Sequence, residues 1–455
     1  MLPIIRSVKK LFVVLVSLLV SGSFFASPAM SQSSNAPTKT PGGTVYRHLY
    51  PAPEIPQAGE LIYAADWQIW IPDNVKTLRG IVVHQHGCGA GSGNPGKDAV
   101  YDLQWQALAR KWDCALMAVS YKQTAACDLW CYPVNGSANR FIQAISDFAA
   151  EANRPELTVV PWAIWGHSGG GQWVSSMAQL YPERIVCCWA RSGHPNCVSQ
   201  TFDQLPFSDA AKEVPILLNL GIRENDKSNN LLFHIWNASF PYFQSMRERG
   251  AKIAILIDPK TSHETGDSRY PAIRFFDICL EKRLPTVPGT DELRKIESGV
   301  VLPSDQIDRA QELGLTEFTY FGLWLPCPDY IDVWRKYTAD CSFDDSTPPP
   351  APFNVRINKT SGELTWTAEA DVESGLKEFV VLADGKEIAR VRGENNPFGR
   401  AVFQGLRYSD TPILTDNTES AMRFVDPLFA DRPAAVYAVE SVNTNDLKSE
   451  PVEAK

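Results

Sequence analysis

The residues best suited to chemistry stand in Gly166-His167-Ser168-Gly169-Gly170, a G-x-S-x-G pattern between the apolar run Val159 to Trp165 and an amphipathic stretch Gly169 to Tyr181. A serine in such a strand-to-helix turn is held in strained backbone, and flanking glycines let neighbouring chain approach, so its hydroxyl is presented above a sheet edge. A serine hydroxyl is a weak nucleophile near neutral pH and needs a base within hydrogen-bond reach, most often histidine. Two blander uses of the segment are a glycine-rich packing turn and a phosphate cradle. Against the cradle, this segment lacks the G-x-G-x-x-G fingerprint, and no acidic residue follows it where a ribose would need one. Of the seven histidines, His84 and His86 lie two apart on one strand and could be read as zinc ligands, but no H-x-x-x-D-H continuation follows, and no metal is assigned.

Such a serine must be positioned by a sheet, and the chain supplies one. Between residues 45 and 285, apolar runs at Gly80 to His84, Cys114 to Tyr121, Val159 to Trp165, Arg184 to Ala190, Pro215 to Leu220 and Lys252 to Asp258 alternate with helical patterns. The helical patterns are Ala138 to Ala152, Gly169 to Tyr181, Asn229 to Arg249 and Asp267 to Arg283. This alternation predicts an α/β domain on a doubly wound, mostly parallel sheet. Residues 286–346 read as an extension and linker packing back through Phe321, Leu323 and Trp324. The proline tract Thr347 to Pro352 then marks a boundary. Residues 347–455 carry short β-type runs at Phe353 to Ile357, Glu363 to Trp366, Glu378 to Leu382, Glu387 to Val391 and Ala434 to Val442, with Asp384-Gly385 as a hairpin signal, and predict an all-β sandwich.

When a G-x-S-x-G turn sits on such a sheet, its partners follow in the order serine, acid, histidine. Only His194, His234 and His263 follow Ser168. His234 falls in a helical pattern, and His194 precedes the acid candidates, which leaves His263, in the loop after the last predicted strand of the sheet, as the base. The third group must orient the imidazole and stabilise its charged form. Glu224 and Asp226, in the loop after Pro215 to Leu220, are the two candidates, with Asp203 and Asp209 as outsiders. A tetrahedral intermediate needs backbone donors: Gly169 N–H and, from the turn His86-Gly87-Cys88-Gly89, Cys88 N–H with Gly87 as the neighbouring alternative.

With these features in order, residues 60–285 resemble the secreted serine esterases of the α/β-hydrolase superfamily, nearest to its feruloyl esterase, acetylxylan esterase and polyhydroxybutyrate depolymerase group. The resemblance implies an α/β-hydrolase sheet, acyl transfer through Ser168 and His263, no metal or organic cofactor, and an ester substrate, small or polymeric. In many members the acid falls third after a glycine, which is Glu224 here, although Asp is more usual there. Trp130 and His167 are the residues expected to touch substrate. Leu364-Thr365-Trp366, Val436-Tyr437-Ala438-Val439 and Leu447 to Pro451 resemble a fibronectin type III domain, which implies docking to carbohydrate or a cell surface and a structural hydrogen bond from the Tyr437 hydroxyl. Competing functions are a serine peptidase of the same fold and a non-catalytic binding protein on a hydrolase scaffold.

Composition narrows the setting. Across 455 residues, 43 Lys and Arg against 52 Asp and Glu give a net charge of -9, which offers no basic footprint for nucleic acid. Arg6, Lys9 and Lys10, the apolar run Leu11 to Val20 and small residues up to Ser31 have the layout of a signal peptide over residues 1–31, so export to the periplasm or beyond is expected without a stable membrane span. Ten cysteines in an exported chain imply some disulfides, and the spacing of Cys127 and Cys131 suggests a stapled loop. Cys187 and Cys188, in an apolar run, read as buried thiols.

Overall fold

The computed structural model describes residues 33–34, 36–88, 96–123, 129–195, 205–303, 321–393, 396, 399–404 and 422–455. The expected signal peptide and Cys127 lie outside them. Among the described residues no helix is long and apolar enough to cross a membrane.

One ten-stranded sheet dominates. Its strands are β1 (Ser33–Ser34), β2 (Thr38–Thr40), β3 (Gly43–Tyr50), β4 (Ala64–Pro72), β5 (Gly80–Gln85), β6 (Cys114–Lys122), β7 (Trp162–His167), β8 (Ile185–Arg191), β9 (Ile216–Gly221) and β10 (Ile253–Asp258). They lie in the order β1-β3-β4-β6-β5-β7-β8-β9-β10, with β2 beside β3. The strands from β6 across to β10 pair in parallel. β1 to β4 extend one edge through antiparallel pairings. Helices α1 (Leu103–Lys111), α2 (Ser137–Glu151), α3 (Gly169–Leu180), α4 (Asp209–Lys212), α5 (Asn230–Glu248) and α6 (Arg269–Arg283) connect these strands or follow the last of them. Parallel strands covered on both faces read as unbroken apolar runs, and this is why the sequence pattern locates all six of them. β4 and α1 escape that reading because polar residues interrupt their apolar ones: β4 buries Asp66 and Gln68, and α1 buries Gln104 and Gln106.

The chain runs from β5 outward to β6 on one side and returns to β7 on the other, so the sheet reverses direction at the carboxyl ends of β5 and β7. Crevices in open α/β sheets form at such a reversal. Ser168 and Gly87 both lie there.

Beyond α6, β11 (Val300–Leu302), β12 (Leu323–Leu325) and α7 (Asp329–Asp340) pack onto the main core. Leu323 and Trp324 are buried as expected, but Phe321 is an exposed side chain, and α7 was not apparent in the sequence. The C-terminal part forms two antiparallel sheets. One holds β13 (Phe353–Asn358), β14 (Glu363–Thr367) and β17 (Arg423–Val425); the other holds β15 (Glu378–Ala383), β16 (Lys386–Arg392), β18 (Tyr437–Val442) and β19 (Val452–Glu453). The arrangement is compatible with a β-sandwich. Asp384 and Gly385 both have positive φ, 49° and 72°, and close the β15–β16 hairpin. Tyr437 donates its hydroxyl to the Asp426 carboxylate at 2.5 Å, beside Arg432.

The C-terminal part is fastened to α1 of the main domain. Ala107 of α1 belongs to the sandwich's own apolar cluster. Leu103 N donates to Gln404 Oε1 at 2.8 Å, and Arg110 pairs with Glu369 at 3.0 Å.

Two expectations need correction. Cys131 is buried and takes part in no disulfide, so the expected Cys127–Cys131 staple is not formed; Cys88 is disulfide-bonded instead. Trp130 is not a substrate-facing aromatic. It is 1% exposed, stacks on Tyr121 with centroids 4.6 Å apart, and donates its indole N–H to Gln123. The indole gains more by burial than a rim position would give. Cys187 and Cys188 are buried free thiols, and burial pushes both above the ordinary thiol range.

Candidate active site

Ser168 sits between β7 and α3 with φ 57° and ψ −122°, a left-handed backbone that a side chain rarely adopts. The surrounding chain enforces it. Ser168 N donates to the Arg191 carbonyl at 2.7 Å, and Ser168 O accepts from Gln172 N at 3.0 Å. Gly166 is required by space, since a Cβ there would lie 2.2 Å from the Gly170 carbonyl oxygen. The G-x-S-x-G spacing therefore has a steric cause in this fold.

His263 lies in the loop between β10 and α6. Its Nε2 is 2.8 Å from Ser168 Oγ, and its Nδ1 is 2.6 Å from Glu224 Oε1. Glu224 lies in the tight turn Ile222–Asn225 after β9, with no exposed surface. Its second oxygen accepts from the Ser192 hydroxyl at 3.0 Å and from Gly221 N at 3.1 Å. A buried carboxylate is tolerated when its oxygens are filled in this way. Asp226, two residues on, is exposed and accepts from Ser228 N at 2.9 Å, which holds its carboxyl below the usual range; it makes no bond to His263. Of the two acid candidates, the structure brings only Glu224 to the imidazole. Asp209 is exposed and paired with Lys212, and Asp203 lies outside the described residues.

The Gly87–Cys88 peptide passes beside the nucleophile: a Cβ on Gly87 would be 3.0 Å from Ser168 Cβ and 3.0 Å from the His167 carbonyl. Gly169 opens α3, where backbone N–H groups lack intrahelical acceptors. His167 is turned toward the base loop, its Nε2 donating to the His263 carbonyl at 2.7 Å. Burial, then the charges of His263, His86 and Arg191, push its imidazole well below the usual range, so it is neutral near pH 7.

His84 and His194 serve packing. His84 is fully buried and stacks on Trp165 at 4.0 Å. His194 stacks on Tyr242 at 4.8 Å, and burial pushes it down to about 4. His234 is exposed on α5. Among the described residues no group of three His, Cys, Asp or Glu side chains is placed to hold a metal.

Sequence reasoning missed Ser192, although it adjoins His194 at the end of β8, where strand ends line the crevice. It also missed Asp258 and Tyr337. The Asp258 carboxylate accepts from Lys260 N at 2.9 Å and Thr261 N at 3.1 Å, and from the Tyr337 hydroxyl at 2.5 Å, fixing the start of the base loop. Nothing in the sequence marks α7 as the source of that hydroxyl.

A strained serine, an imidazole bonded to its hydroxyl and a buried carboxylate behind the imidazole, at the reversal of a mostly parallel sheet, fit the α/β-hydrolase arrangement and have the geometry that nucleophilic acyl transfer requires. No family model matches the chain, and no curated protein matches its sequence. Similar solved structures include an S-formylglutathione hydrolase from Agrobacterium tumefaciens, 14% identical with a TM-score of 0.35, covering 55% of this chain and 96% of that one. A ferulic acid esterase is 12% identical with a TM-score of 0.34, covering 53% of this chain and 97% of its own. An acetyl xylan esterase from Aspergillus awamori is 14% identical with a TM-score of 0.28, covering 38% and 72%. At scores this low, the fold assignment rests on the strand order of the sheet itself.

Proposed function

We propose that this protein is an exported serine hydrolase that cleaves carboxylic esters through an acyl-enzyme. The observation that carries the reading is the unbroken hydrogen-bond chain Ser168 Oγ, His263, Glu224. In this mechanism Ser168 Oγ attacks the ester carbonyl while His263 Nε2 takes its proton. The N–H groups of Gly169 and Cys88 receive the developing oxyanion, and the imidazolium returns the proton to the departing alcohol. Water then repeats the sequence on the acyl-enzyme. The Glu224 carboxylate orients the imidazole and balances the imidazolium. Export is part of the same proposal and is supported by the disulfide at Cys88, since such bonds persist in oxidising compartments. The substrates proposed are acyl esters on polysaccharide or a polyester.

The mature protein is to be assayed on p-nitrophenyl acetate beside Ser168→Ala and His263→Ala. Each variant is expected to lose activity by a factor on the order of 10⁴ to 10⁶. Wild-type hydrolysis no faster than that of both variants would end the proposal. Acetylated xylan, feruloylated sugars, polyester film and a peptide panel then rank the substrates.

A further inference from the structure

Arg191 is a buried cation that the proposed chemistry leaves unexplained. It ends β8, is 0% exposed, and no carboxylate among the described residues pairs with it. Taking a guanidinium out of water without a counter-charge is unfavourable unless its donors are used well. Nη2 is the nitrogen that is used. It donates to the Ser262 carbonyl at 2.7 Å, the Glu264 carbonyl at 2.5 Å and the Thr261 hydroxyl at 3.0 Å. The carbonyl between those two, that of His263 itself, accepts from His167 Nε2 at 2.7 Å. Three consecutive carbonyls of the base loop are therefore held by two side chains.

Those side chains come from one place on the sheet. His167 and Arg191 are directly paired residues at the ends of the parallel strands β7 and β8. Side chains at paired positions of neighbouring strands leave the same face, so the pair forms a two-pronged fixture aimed at one loop. Neither prong touches the hydroxyl or the imidazole nitrogens that react. Their carbonyl bonds reach the chemistry through the backbone that carries His263, and the His167 ring also lies against the His263 ring, with centroids 5.0 Å apart.

We infer that Arg191 and His167 are positioning residues that clamp the carbonyls of Ser262, His263 and Glu264 and so hold the His263 imidazole in reach of Ser168. This rests on the esterase reading and extends it. The loop has no regular secondary structure between Asp258 and Arg269. Losing the clamp takes away the bonds to three carbonyls in the middle of the loop, and displacements of about 1 Å in a catalytic group can cost about 100-fold in rate. His167 must carry its proton on Nε2, the tautomer in which that nitrogen donates to the carbonyl.

The test is steady-state kinetics on p-nitrophenyl acetate with the full-length mature protein. Arg191→Met and His167→Leu are expected to lower kcat by about 10- to 100-fold with KM within about 3-fold, because the acylation step and not substrate contact is disturbed. Conservative variants separate positioning from mere folding. His167→Gln, whose amide can donate to the same carbonyl, is expected to recover most of kcat, and Arg191→Lys to fall between Arg191→Met and wild type. The rate at which a fluorophosphonate labels Ser168 should follow the same ranking. The inference is overturned if His167→Leu and Arg191→Met keep wild-type kcat, if the loss lies in KM alone, or if His167→Gln is as impaired as His167→Leu. In each of these cases Ser168→Ala remains inactive and the esterase reading stands. If Ser168→Ala is as active as wild type, the esterase reading fails and this inference fails with it.

Discussion

The acid turn after β9 and the base loop after β10 leave adjacent strands and each delivers one member of the proposed triad, yet they are held by opposite means. The acid turn is closed mostly on itself: Gly221 N reaches Glu224 Oε2 within a four-residue span, and apart from the His263 imidazole on Oε1, Ser192 is the outside donor to the carboxylate. The base loop is held from elsewhere in the chain. Arg191 and His167 grip its middle, Tyr337 of α7 bonds the Asp258 carboxylate that starts it, and Arg400 of the C-terminal part bonds Asp267 near its end. A segment that satisfies its own polar groups can be placed by local rules. A segment whose groups are satisfied by residues some 70 positions or more away cannot.

The sharpest test of the self-contained turn sets its two carboxylates against each other. Glu224→Gln is expected to lower kcat on p-nitrophenyl acetate by a factor on the order of 10⁴, since the amide no longer stabilises the imidazolium or fixes the tautomer. Asp226→Asn, at an exposed side chain bonded to Ser228, should stay within about 2-fold. The reverse ranking would show that the turn rearranges in solution and would dissolve the contrast between the two segments.

Ser192 is where the acid turn depends on a neighbour. Removing its hydroxyl by Ser192→Ala leaves Glu224 Oε2 with Gly221 N alone. A hydrogen bond to a charged group is worth about 1.5–3 kcal/mol, and the remaining donor takes up part of the loss, so kcat should fall about 10-fold with KM little changed. An unchanged kcat in Ser192→Ala would make the acid turn wholly self-sufficient.

The same division explains how far the sequence could be read. The six parallel strands were visible because burial on both faces leaves continuous apolar residues, and Ser168 because its turn has steric demands confined to neighbouring residues. His263 followed from chain order, and Glu224 remained one of two because choosing between carboxylates two residues apart depends on which is covered by the loop opposite. Trp130 was misplaced for a related reason: a tryptophan in a loop reads as a rim residue until the stacking partner, Tyr121, is known. The proposed staple at Cys131 failed likewise, because close spacing does not show that two sulfurs meet. Arg191 gave no signal at all. Its basic side chain closes an apolar strand, an unremarkable position until three acceptors converge on it.

The smallest expected effect tests the far end of the base loop, where the two lobes meet. Arg400 N and Nη1 bond the Asp267 carboxylate at 2.7 and 3.0 Å, and the guanidinium lies 4.3 Å from the Phe343 ring centre. Burial pushes the Asp267 carboxyl above its usual range, against the opposing pull of Arg400. A carboxyl raised on folding binds its proton more tightly in the native state, so its ionisation counts against stability as pH rises through the raised value. Arg400→Met removes the opposing pull, and Asp267 should rise further. At pH 7 the variant is expected to lose about 1–2 kcal/mol by urea denaturation, a modest figure because the Arg400 side chain is 30% exposed. At an acid pH where Asp267 takes up its proton, the deficit relative to wild type should shrink. A deficit that is equal at both pH values would mean that Arg400 acts through its stacking on Phe343 and not through the carboxylate. The C-terminal lobe would then support the base loop by packing alone.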